Sequence, residues 1–302
     1  MAQSAEVPCE TARLIVPWKA GGDTHVLYSI FEETIQRLDV KPKIKVVTIP
    51  GQGGNKGAKE AAEADPDGCT LFAIHQSAIT SYLNGRIDFH YNKFEPVALL
   101  TSTPDILGAA ADTPWNSWDE FEKDVLANPG KYKVGATFGS TSQFMWIMLE
   151  EKTGMEFDYV PYEGTRERIT AMLSGAIDLG SINVATAQQY IKDDALKALA
   201  IADEERTKRL PDLPTLKEKG VDLVFSVRRG VMAPPGTPDD VVAMWADIFQ
   251  KAATDPDLLK QMDAKGTDIK FLGPQEFQNW IDRTFDAYKN VAINIGMYKP
   301  EE

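Results

Sequence analysis

The residues best placed to do chemistry stand directly behind short β-branched runs. After Leu14-Ile15-Val16 the chain continues Pro17-Trp18-Lys19-Ala20-Gly21-Gly22-Asp23-Thr24-His25, and helical periodicity begins at once. Gly139-Ser140-Thr141-Ser142-Gln143 follows the run Lys133 to Ala136, Tyr162-Glu163-Gly164-Thr165 follows Phe157 to Val160, and His75-Gln76-Ser77 follows Thr70 to Ile74. Strand, glycine turn and helix start are the parts from which anion sites are built, because the first N–H groups of a helix have no intrahelical acceptor and carry the positive end of its dipole. The chemistry on offer is capture of a carboxylate or phosphate by backbone donors and hydroxyls. One glycine loop is often only a tight turn. Two of them, one in each half of the chain, can face each other across a cleft.

Further donors fall at similar positions. His25 and His75 suit either ligand donors or hydrogen-bonded wall residues, while His90 reads as plain surface. Arg228-Arg229 offers a fork for a carboxylate, assigned to Arg228, the alternative being a solvated pair. Asn183, just beyond the run Ile177 to Ile182, faces the expected cleft; Asp178 is a polar residue leading into that run. Trp115 and Trp118 are core anchors. The stretch GQGGNKGAKE (51–60) departs from a nucleotide P-loop, since Gly57 follows Lys56 where a magnesium-binding Ser or Thr is needed. Gly51, Gly53, Gly54 and Gly57 are therefore read as shaping a strand-to-helix turn. There are three histidines and no HExxH or GxSxG motif, so no catalytic residue, cofactor or metal site is assigned.

Positioning these residues requires an α/β scaffold. Strand-like and helix-like segments alternate: 14–17, 25–38, 43–49, 57–64 and 70–74, then 133–136, 143–152, 157–160, 167–174, 177–182 and 197–201. That is the pattern of two doubly wound units with parallel sheets, whose ligands lie beyond the carboxyl ends of the strands. Thr237-Pro238-Asp239-Asp240, with an N-cap candidate and a first-turn Pro, opens a helix to about Ala253, and Gly273-Pro274 opens a last one. These helices are expected to return to the first unit. The domains are then 1–104 plus 228–302, and 105–227, joined by extended crossings over 94–107 and 221–231.

At 302 residues, 43% hydrophobic and 25% charged, the chain has the composition of a folded protein with room for two domains. A formal charge of −13 argues against a nucleic-acid partner. No apolar run approaches the ~18 residues of a bilayer span. The opening Ala-Gln-Ser-Ala-Glu reads like a mature start behind an added Met, consistent with export and with a signal peptide missing ahead of it. Cys9 and Cys69 are either one disulfide or two thiols, and a bridge fits if the strands that follow them are neighbours.

The stretches IVPWKAGGDT, IPGQGGNKGAKEAAEADPDGCTL, GSTSQ, VPYEGT, LSGAIDLG, LKALAIADEERTKRLPDLPTLKEKG and RGVMAPPGTPDDVV together resemble the periplasmic substrate-binding proteins of tripartite tricarboxylate transporters, the Bug family. The resemblance implies a type II periplasmic binding fold, with two α/β domains closing on a small organic anion such as a di- or tricarboxylate, and delivery to membrane transporter subunits. Carried onto this chain, the ligand residues are Trp18, Gly21, Gly22, Asp23 and Thr24 on one side and Gly139, Ser140, Thr141 and Ser142 on the other, with Tyr162, Gly164, Thr165 and Asn183 around the remainder; His25, His75, Ser77 and Arg228 are added from position. Relatives commonly read GGxTD with an Arg a turn later. Here His25 and Ser29 stand at those two positions, and Asp23 at a small-residue position.

The function expected is therefore an extracytoplasmic, monomeric, non-enzymatic receptor in the periplasm that takes a small carboxylate and passes it to a transporter, without inserting in the membrane. Two alternatives remain: an α/β enzyme acting on a carboxylate or phosphorylated molecule with His25 or His75 as base, and a carboxylate sensor for a signalling partner.

Overall fold

The β-branched runs form strands and the amphipathic stretches between them form helices, in a computed structural model that describes residues 7–162 and 164–298, without the side chains of 185 and 186. The start-site reading on residues 1–6, and Glu163 of the third loop, lie outside the described residues. In chain order the elements are β1 (Thr11–Val16), α1 (Asp23–Arg37), β2 (Lys43–Thr48), α2 (Asn55–Ala62), β3 (Thr70–His75), α3 (Ser77–Leu83) and β4 (Glu95–Ala110). There follow α4 (Trp118–Ala127), β5 (Lys133–Ala136), α5 (Thr141–Thr153), β6 (Asp158–Pro161), α6 (Thr165–Leu173), β7 (Leu179–Asn183), α7 (Val184–Ile191) and β8 (Leu196–Ile201). The last elements are β9 (Ser226–Ala233), α8 (Asp239–Ala253), α9 (Pro256–Ala264), β10 (Asp268–Leu272) and α10 (Pro274–Asn294).

The described residues divide into two compact units. The first comprises those of Met1–Ser102, Arg228–Asp263 and Asp268–Glu302; the second comprises those of Thr103–Val227 and Ala264–Thr267. In the first, β1 pairs in parallel with both β2 and β3, and β3 pairs antiparallel with β9. Leu14 and Ile15 of β1 are both fully buried, so this strand is covered on both faces, which its unbroken apolar run requires. Leu14 and Val16 join Phe31 of α1 and Trp245 and Phe249 of α8 in one core. Phe31 meets Phe249 edge-on at 6.1 Å, and the Trp245 indole donates to the Gly68 carbonyl at 3.0 Å. In the second unit β5 pairs in parallel with β6 and β7, and β4 pairs antiparallel with β7 and β8. Trp115 and Trp118 are buried there. Ser117 caps α4 by accepting from the Glu120 N–H, while the Glu120 carboxylate accepts from the Asn116 N–H at 2.7 Å.

Several expectations change. The sheets are mixed rather than purely parallel, because the stretches read as crossings are the strands β4 and β9, and both run antiparallel to neighbours. Pro238 occupies the N-cap of α8, ahead of the first turn, while the Thr237 hydroxyl donates to the Pro234 carbonyl instead of capping. His90 is not plain surface. It is half-buried among Tyr82, Tyr91 and Phe285, and burial holds its imidazole below the usual histidine range against the opposing charge of Asp282.

Cys9 and Cys69 form a disulfide across 60 residues, just ahead of the adjacent strands β1 and β3. Closing a loop of that length removes about 4 kcal/mol of denatured-state freedom in the chain-entropy account. The Cys9→Ala/Cys69→Ala double variant should lose roughly 2–4 kcal/mol in urea unfolding relative to the oxidised chain. An unchanged midpoint and slope would show that the bridge adds nothing.

Candidate functional site

Parallel strands end at the same edge of a sheet, so the loops that follow them gather there. In the first unit the gathered segments are those after β1, β2 and β3. Gly21 has φ +80, a conformation open to glycine at little cost, and the turn it makes lets Gly22 cap α1. The Gly21 N–H donates to Nδ1 of His25 at 3.3 Å, closing the turn on the first turn of the helix. Asp23 is exposed, whereas Thr24 is buried and its Oγ1 accepts from Nε of Arg229 at 3.0 Å. Trp18 stacks on His75 with ring centroids 4.0 Å apart. Behind Trp18 lies Gly54 (φ +103), where an added Cβ would sit 3.4 Å from the indole nitrogen. The glycine-rich stretch thus forms a turn packed against the first loop, as expected.

His75 is held in one state. Burial pushes its imidazole well below the usual histidine range, and the nearby Arg229 guanidinium pushes it further. Its Nδ1 accepts the Ser77 N–H at 3.1 Å, which leaves the single ring proton on Nε2. Neutral His75 is therefore a donor. Two apolar recesses flank it. One is lined by Trp18, Gly54, Asn55, Phe72, Ser77 and Phe94, the other by His75, Gln76, Arg228, Phe277 and Trp280. The Arg228 guanidinium lies 5.7 Å from the centre of the Trp280 ring, and its backbone N–H donates to Gln76 Oε1 at 3.0 Å.

The second unit gathers the loops after β5, β6 and β7. Ser140 caps α5, but its hydroxyl donates to the Thr137 carbonyl at 2.7 Å, and Ser142 Oγ accepts from the Thr137 N–H at 3.0 Å. The Gly139 N–H is taken by Gln143 Oε1 at 2.7 Å. These side chains tie the loop together, and the ligand donors left are the first-turn N–H groups of Thr141 and Ser142, which no intrahelical carbonyl can accept. Gly164 opens α6, Thr165 follows it, and Asn183 ends β7 opposite Asp105 of β4. The Tyr162 N–H donates to the Ala136 carbonyl at 2.9 Å, setting the third loop beside the second.

Within the first unit, then, Trp18, Thr24 and His75 come together, Gly21, Gly22 and His25 build the turn, Asp23 stands outward, and Ser77 and Arg228 line the recesses. Within the second, Gly139, Ser140, Thr141, Ser142, Tyr162, Gly164, Thr165 and Asn183 share the strand-end edge. The sequence reading missed two residues. Arg229 rather than Arg228 reaches Thr24; strand alternation carries the signal, since Arg229 shares a face with the buried Val231 and Ala233. Arg168 lies three residues after Thr165 on α6, the spacing that puts two side chains on one face, and donates to both Thr165 and Thr137.

The family described as "Tripartite tricarboxylate transporter family receptor" matches residues 41–297. The UPF0065 protein in the gbd 5'region of Cupriavidus necator is 26% identical over 99% of this chain and 92% of its own length. The periplasmic binding protein BugD has a similar structure, with TM-score 0.82 and 26% identity over 96% of this chain and 99% of its own. MatC from Rhodopseudomonas palustris with bound malate gives TM-score 0.82 and 26% identity over 94% of this chain and 99% of its own.

Nitrogen-15 NMR should find His75 as the neutral Nε2–H tautomer from pH 8 down past the ordinary histidine midpoint of about 6.5. Because the unfolded chain protonates first, this residue makes stability fall as pH drops below that midpoint, and His75→Gln should flatten the fall. A His75 that titrates near pH 6.5 would contradict the assignment.

Proposed function

We propose that this chain, which belongs to the tripartite tricarboxylate transporter receptor family, captures a small organic carboxylate outside the cytoplasm and hands it to the membrane subunits of a transporter of that class. It is a solute-binding receptor for small carboxylates and not an enzyme. In this reading each unit offers its own carboxylate donors: the Thr24 hydroxyl, the first-turn N–H groups of α1 and neutral His75 in the first, and the first-turn N–H groups of Thr141 and Ser142 with Thr165 and Asn183 in the second. Trp18 and Arg228 line the recesses beside the donors of the first unit.

The observation that carries the reading is the set of helix starts and hydroxyls at the carboxyl edges of β1, β3, β5 and β6, every one a donor suited to a carboxylate oxygen. Malate bound to MatC supports a small hydroxy-dicarboxylate as one ligand to try. The Cys9–Cys69 disulfide suits an oxidising compartment such as the periplasm, and no described helix is long and apolar enough to cross a membrane. The two histidines weighed as catalytic bases each have Nδ1 occupied by a backbone N–H.

Isothermal titration against malate, succinate, citrate and glutamate should find at least one acid binding with a Kd on the order of micromolar. Thr24→Ala should then weaken that acid about tenfold, and also lower the melting temperature because the buried Arg229 loses its Thr24 acceptor. Saturable binding of none of them, with no thermal stabilisation, would contradict the reading.

A further inference from the structure

Two arginines are almost completely buried, Arg229 at 5% and Arg168 at 4% exposure, one in each unit. Charges are rarely taken out of water to that extent without a task, because burial costs free energy that only well-placed partners return. Among the partners of both are threonines of the binding loops. Arg229 Nε donates to Thr24 Oγ1 at 3.0 Å; Arg168 Nη1 and Nη2 donate to Thr137 Oγ1 and Thr165 Oγ1, both at 3.1 Å. A guanidinium has five N–H donors and no acceptor. A hydroxyl facing it is held as an acceptor and has only its own proton left to give. Among the described residues, the hydroxyl protons of Thr24, Thr137 and Thr165 meet no protein acceptor.

We propose that Arg229 and Arg168 are specificity-determining positioning residues: each locks loop threonines as donors and sets a buried positive charge one hydrogen bond behind them, so the chain selects ligands that present an anion there. This rests on the carboxylate-receptor reading. The sequence context fits it. Thr24 and Thr165 are the second and first residues of α1 and α6, so each committed hydroxyl lies in the first turn of a helix, and charge, dipole and proton all point to one kind of ligand atom. On β9 the backbone pairs Arg229 with His75, whose ring stays neutral beside it, so the guanidinium is the cationic group of that pair.

The test uses malate, citrate and adipate as probes in calorimetry at neutral pH, with native chain and the variants Arg229→Met, Arg168→Met, Thr24→Val, Thr165→Val and Arg229→Lys. The acid that native chain binds most tightly should lose about tenfold or more in the Met and Val variants, the loss expected when a charge-assisted hydrogen bond is removed. Arg229→Lys, which keeps one donor but not the guanidinium fork, should lose less than Arg229→Met. The Val variants keep both the guanidinium and the shape of threonine, so they still answer where a Met variant does not fold. Native-like affinity in Thr24→Val and Thr165→Val overturns the inference and leaves the receptor reading standing, as does a loss in Arg229→Lys equal to that in Arg229→Met. Binding of none of the three acids by native chain overturns the receptor reading, and the inference with it.

Discussion

A helix that starts where a parallel strand ends leaves its first N–H groups with nothing inside the helix to bond. Everything else in this molecule follows from how those donors are kept available. Parallel pairing of β1 with β2 and β3, and of β5 with β6 and β7, puts the helix starts of each unit at one edge. Gly21 turns the chain tightly enough for α1 to begin within seven residues of β1, and the serines of the 139–142 loop spend their hydroxyls holding α5 in place. The backbone and the threonines are what remain to meet a ligand.

Charge decides the sign of that ligand. The chain as a whole carries −13, yet at physiological salt the field of distant carboxylates decays over ~8 Å, so it affects approach more than contact. At contact the local terms dominate. A helix start favours an adjacent anion by ~0.3 to 1 kcal/mol, and each charge-assisted hydrogen bond adds ~1.5 to 3 kcal/mol. A handful of such bonds reaches the ~8 kcal/mol of micromolar affinity once association costs are met. Arg229 and Arg168 add positive charge behind the loops without exposing a basic surface. Asp23, exposed in the first turn of α1, is the one acidic side chain of the loop, and it stands in solvent while Thr24 turns inward.

Much of this was legible in the residues, and the gaps have physical causes. Lys133 to Ala136 forms a strand with the bounds expected from the sequence, and Gly273-Pro274 opens α10 with Pro in the first turn. The loops were legible because glycine and hydroxyl residues between a strand and a helix mean the same thing wherever they occur. Residues 94–107 read as an extended crossing rather than a sheet strand, since β4 is buried almost throughout and so carries no alternation of apolar and polar residues to mark the strand period. The buried arginines were hardest. In a string of letters Arg228 and Arg229 differ by one position, and only strand parity, fixed by pairing with β3, sends one to Thr24 and the other to Trp280. Arg168 looked like any charged residue on a helix surface until α6 packed it against the loop after β5.

The most direct trial of the central claim is a crystal structure of the chain with a dicarboxylate bound. A carboxylate oxygen should lie within about 3 Å of the Thr24 hydroxyl, with the Arg229 guanidinium on the far side of that oxygen atom of threonine. A ligand seated instead in the recess lined by Phe72 and Phe94, with Thr24 and Thr165 touching nothing but protein, would contradict it.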